Sequence, residues 1–151
     1  MFRNILVNGN ETKFQCSAAT GILYKRLFGK SLPSEMGKLA EAGRNAQRIN
    51  ERLHILREKE DTDPQELIDL LSEDSSLMEL SAMTQEIVPQ MAYIMWLEGN
   101  FVYREINQRL TMDSYIEWLT KYESNDIINI SSEIFELWNG TNKTNSNLKN
   151  A

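Results

Sequence analysis

The chain has 151 residues, 41% of them hydrophobic, and a net charge of −6. That composition supplies one buried core and excludes disorder throughout, and the basic residues are too dispersed for nucleic acid to be the main partner. Cys16 is the only cysteine, so no internal disulfide forms. With no run near the ~20 apolar residues of a membrane span and no secretory leader at Met1-Phe2-Arg3-Asn4, a soluble cytoplasmic protein is expected.

Ile5-Leu6-Val7 followed by Asn8-Gly9-Asn10 predicts a β-hairpin over about residues 2–16. Two registers are open. With Asn8-Gly9 as the loop, Val7 faces Asn10 and Ile5 faces Thr12. With Gly9-Asn10 as the loop, Val7 faces Thr12 and Ile5 faces Phe14. The second pairs apolar with apolar and is the preferred expectation. Cys16, on the Phe14 face, reads as a small core residue.

Ser17 as N-cap, Ala19, Leu23 and Leu27 at i, i+4 and i+8, and Gly29 just past the end predict a helix over 17–28. A long helix over 34–60 follows, with Met36, Leu39, Ala46, Ile49, Leu53 and Leu56 on its apolar side and Gly37 and Gly43 as weak points. Asp63, Pro64 and Glu66 start the next helix, whose apolar side is Leu67, Leu70 and Leu71. Ser76-x-x-Glu79 forms a second capping box. It opens a longer helix with Leu80, Met83, Ile87, Met91, Ile94 and Met95 at helical spacing. Pro89 should kink it or end its first half, and Glu98-Gly99-Asn100 should stop it.

A short helical piece over 101–109 comes next, and Thr111 and Asp113 stand at the start of another around 115–119. A last helix holds Ile127, Ile130, Ile134, Leu137 and Trp138 and stops at Gly140. The expected fold is therefore mainly α, a single helical domain over 1–140 with a small N-terminal hairpin. The polar segment 141–151 reads as a disordered, flexible tail.

Chemistry is sparse. His54 is the only histidine, and Glu51 and Glu58 beside it have a spacing common by chance on charged helices. Cys16 has no histidine near it in sequence, and no phosphate-binding loop is present. The acidic runs at 58–61 and 69–74 lack the alternating ligand spacing of a calcium loop. No catalytic constellation, cofactor or metal is expected; the chain reads as a binding protein. Five of its seven methionines fall between Met78 and Met112. Together with Tyr93 and Trp96 they read either as ordinary core or as an adaptable groove for a partner.

Three segments resemble the tail assembly chaperones of long-tailed phages of Gram-positive bacteria. The first is Val7-Asn8-Gly9-Asn10 through Phe14, then Ser17-Ala18-Ala19-Thr20 and Leu23-Tyr24-Lys25-Arg26-Leu27-Phe28-Gly29-Lys30. The second is Ala92-Tyr93-Ile94-Met95. The third is Glu117-Trp118-Leu119 with Ile134-Phe135-Glu136-Leu137-Trp138-Asn139 and the polar tail. The resemblance covers about residues 3–30 and 77–147; the stretch 34–74 is unlike the family, and Gly21 and Ser132 stand where many relatives carry proline.

The resemblance implies a chaperone that binds the phage tape measure protein and keeps this long helical chain soluble until tail tube subunits polymerise around it. It implies action in the host cytoplasm and absence from the mature virion. The tail tube protein and further copies of this chain are additional partners. It also implies a longer form made by ribosomal frameshifting, for which Leu148-Lys149-Asn150 is compatible with a slippery codon run. The partner-binding candidates are Met91, Tyr93, Met95 and Trp96 as apolar anchors, with Ile134 and Trp138 as contacts or support. The alternative is a structural virion component, a head–tail connector or tail completion protein.

Overall fold

The computed structural model describes residues 1–58, 63–73 and 76–149. The side chains of Leu67, 70–73, Ser76 and 142–149 lie outside that description. So do the apolar side expected at Leu67, Leu70 and Leu71, the cap expected of Ser76, most of the acidic runs, and most of the segment expected to be a tail.

Strand β1 (Phe2–Val7) pairs antiparallel with β2 (Asn10–Gln15). Val7 stands opposite Asn10 and Ile5 opposite Thr12, so the loop is Asn8-Gly9 and the preferred register is corrected to the other one. Asn8 and Gly9 both take positive φ, 50° and 80°. Such a two-residue turn matches the twist of the strands and selects Asn-Gly. The two registers differ by two residues and put the same side chains on the same face, so face sorting could not choose between them. Ile5, Val7 and Phe14 are buried on that face in either case, and Cys16 is buried as expected.

Helix α1 (Thr20–Phe28) starts three residues later than expected. Ser17 Oγ accepts the Ala19 N–H and Thr20 Oγ1 accepts the Ser17 N–H, which folds 17–20 into a turn ahead of the helix. Gly29 ends α1 as expected, at φ 73°, with its N–H on the Lys25 carbonyl.

Helix α2 (Leu32–Glu58) begins at the buried Leu32, and α3 (Pro64–Glu73) has Asp63 Oδ1 accepting the Gln65 N–H. Helix α4 (Ser76–Asn100) runs through Pro89 without ending there. Helix α5 (Tyr103–Arg109) is followed by α6 (Met112–Leu119), capped by Thr111 through the Ser114 N–H. The expected last helix is two, α7 (Ser124–Ile128) and α8 (Ser131–Lys149). Ser131 Oγ donates to the Ile128 carbonyl at the break.

Helix α8 does not stop at Gly140. That glycine keeps a negative φ, and a methyl group on it would lie 3.0 Å from Met1 Sδ. It is a close-approach glycine within the helix, not a left-handed terminus.

The contacts gather into two compact units, Met1–Pro33 with Gln85–Ala151, and Ser34–Thr84. The first holds the hairpin, α1, residues 85–100 of α4, and α5 to α8. In the second, Leu39, Ala42, Ala46 and Leu53 are buried along α2, and Lys38 pairs with Glu35 at 3.5 Å. Charge divides the same way. Ser34–Thr84 contains 12 of the 22 acidic and 6 of the 16 basic residues. The whole net charge of −6 therefore lies there, and the other unit balances at ten of each sign.

Candidate interaction surface

The six candidate anchors lie in the first unit, and five of them are interior. Met91, Met95 and Ile134 are 0% exposed, Tyr93 1% and Trp138 8%, while Trp96 is half-buried. Met91, Tyr93, Met95 and Ile134 are thus core residues here, the first of the two readings left open by the sequence. The reason lies in α4 itself. Residues 91–95 are all buried, so this stretch of the helix is enclosed on every side and carries no one-sided stripe.

The aromatic residues knit this unit together. Tyr93 meets Trp96, Tyr115 and Trp118 at ring-centre distances of 5.9, 5.3 and 5.4 Å, and its hydroxyl donates to the Arg109 carbonyl at 2.6 Å. Phe28 lies edge-on to Tyr115 at 5.1 Å, tying α1 to α6. Burial, with Glu86 nearby, pushes the Tyr115 hydroxyl up to about 12. Trp138 lies over Gly21, where a methyl group would sit 3.9 Å from Cη2, an ordinary contact.

The second cluster is polar. Ser17 Oγ and Thr20 Oγ1 each donate to one oxygen of Glu98, both at 2.5 Å. Each hydroxyl is already an acceptor for a backbone N–H, so its proton is left to point at the carboxylate. Burial raises the Glu98 carboxyl above its ordinary value, and the two hydroxyls and the N-terminal ammonium pull it back. Burial also raises the Cys16 thiol. A buried thiol held in its neutral form is a packing residue and a poor nucleophile.

Among the described residues no three His, Cys, Asp or Glu side chains are grouped to hold a metal ion. His54, exposed on α2, meets Glu58 at 3.1 Å. Next to Pro89 an open cleft of about 500 Å³ is walled by Gln85, Leu119, Tyr122, Ser124 and Ile127. Its one carboxylate, Glu123, belongs to the capping box of α7 with Asp126.

The exposed apolar residues are those a one-sided reading passes over. Met112 and Ile116, one turn apart on α6, are 47% and 53% exposed. Val102 and Tyr103 at the start of α5 are exposed as well, and the Tyr103 hydroxyl accepts from Arg26 on α1, one turn from the exposed Ile22. The i, i+4 pair Met112/Ile116 was a visible signal, hidden because Tyr115 and Trp118 of the same short helix mark its buried side.

Fold and surface define a mainly α protein with an N-terminal hairpin, no helix of whose described residues is long and apolar enough to cross a membrane. Comparison of the chain with protein families, with curated proteins and with solved structures gives no match.

Proposed function

We propose that the chain is a tail assembly chaperone of a long-tailed phage, a non-catalytic protein that binds the tape measure protein and holds it soluble during assembly in the host cytoplasm. One observation carries this reading. The segments that resemble the family lie far apart in sequence yet meet in one compact unit. Glu98 of α4 bonds Ser17 and Thr20, Tyr93 meets Trp118 with the rings tilted, and Thr141 of α8 donates to the Cys16 carbonyl. The stretch unlike the family, 34–74, falls within the other unit, Ser34–Thr84.

The contact residues in this reading are exposed ones, Met112 and Ile116 with Val102 and Tyr103, which suit the apolar stripe of a helical partner. Beneath α6, the buried Tyr93 packs on Tyr115 and Trp118, while Met91, Met95 and Ile134 belong to the core. Mass spectrometry of infected-cell lysate and of purified particles tests the role. A chaperone is abundant in the lysate and missing from the particle. A stoichiometric presence in the particle supports instead a head–tail connector or tail completion protein.

A further inference from the structure

The hairpin leaves one strand edge open. The Cys16 N–H donates to the Met1 carbonyl at 2.9 Å and the Met1 ammonium to the Cys16 carbonyl at 3.1 Å. With the register, this turns the backbone groups of Met1, Arg3, Ile5 and Val7 toward β2 and those of Phe2, Asn4 and Leu6 outward. On the outer edge of β2, α4 packs at Lys13, whose carbonyl accepts Asn100 Nδ2 at 2.9 Å. Among the described residues no strand lies beside the outer edge of β1, and no hydrogen bond reaches the backbone of Phe2, Asn4 or Leu6. Phe2 and Leu6 are 60% and 67% exposed. Proteins usually blunt such an edge with a charge, a proline or a bulge, and positions 2, 4 and 6 carry none of these.

We propose that this edge pairs with the same edge of a second copy, antiparallel about Asn4, to give a four-stranded sheet across a two-fold axis. Only an extended chain offers alternating N–H and C=O groups at the spacing the edge requires. The edge is also complementary to itself. Centred on Asn4, Phe2 of one copy falls opposite Leu6 of the other on the face where both are exposed, and Arg3 falls opposite Ile5 on the reverse face, so no like charges meet across the junction. Arg3 meets Glu136 of α8 on that reverse face, and on the Phe2/Leu6 face the Lys13 ammonium lies over the Phe2 ring, 4.6 Å from its centre.

Light scattering of the full chain during size exclusion tests this, alongside amide hydrogen exchange. The wild type is expected at twice 17.5 kDa, with the Asn4 and Leu6 amides protected. Asn4→Pro removes an outward N–H that β2 does not use, and Leu6→Lys puts a charge against Phe2 of the second copy. Each is expected to weaken the dimer roughly tenfold or more and to free the Leu6 amide while the circular dichroism stays unchanged. If Asn4→Pro disturbs the fold, Leu6→Lys decides. A monomer at every concentration, unprotected edge amides in a dimer, or a dimer indifferent to Leu6→Lys overturns the proposal.

Discussion

Gly99 of α4 lies so close to β2 that a methyl group on it would stand 2.7 Å from the Lys13 carbonyl oxygen. The next residue, Asn100, donates to that same oxygen. With Glu98 bonded to Ser17 and Thr20, three consecutive residues of α4 fasten the hairpin and the start of α1. Gly99→Ala should therefore destabilise by about 1–3 kcal/mol, although alanine is the better helix former. Gly37→Ala and Gly43→Ala, which have open space, should each stabilise α2 by up to ~1 kcal/mol. Urea titration of the three variants checks the contrast in sign.

Glu98 sets a pH dependence. Burial lifts its folded pKa above the unfolded value, so the folded protein binds the proton more tightly than the unfolded chain. Its contribution to stability is complete below the ordinary carboxylate pKa and is lost as pH rises through the folded value. Glu98→Gln should flatten the curve of urea midpoint against pH in that window. Ser17→Ala and Thr20→Ala, which remove hydroxyls that favour the ionised form, should move the loss to higher pH.

Met91→Asp with Met95→Asp should abolish cooperative unfolding and most of the native circular dichroism, since both side chains are fully buried. Met91→Ala alone should cost about 2–5 kcal/mol. Met112→Ala, at an exposed position, should stay within about 0.5 kcal/mol of wild type. Thermal melts followed by circular dichroism compare all three with the wild type.

Gly9→Ala should destabilise by more than ~1 kcal/mol because its φ of 80° is costly for any residue with a Cβ. Gly29→Ala should do the same at the end of α1, where φ is 73°. Both are measured by the same urea titration.

The sequence carries most of the fold through local rules. Gly29 ended α1, Asp63-Pro64 started α3 and Thr111 capped α6, because each acts within four residues of itself; the Asn8-Gly9 turn is as local, but sorting the hairpin by apolar pairs pointed to the other register. What stayed hidden depends on distant partners. Gly140 resembles a helix stop until Met1 is seen packed on it, and Gly99 marks the end of α4 for a reason that sits on β2. The Met/aromatic residues of α4 show the same limit. Their helical spacing fits a groove and a core equally well, and only the unbroken burial of 91–95 separates the two. The surface was less legible than the core, since Met112 and Ile116 differ from buried neighbours only by the side of α6 they occupy.

The most direct test of the chaperone account is co-expression of this chain, tagged, with the tape measure protein of the same phage, followed by pull-down from the soluble fraction. The account predicts that the tape measure protein becomes soluble and co-purifies with the wild type. It also predicts that Met112→Asp with Ile116→Asp loses it while keeping the wild-type circular dichroism. A tape measure protein that stays insoluble and unbound beside the well-folded wild-type chain would contradict it.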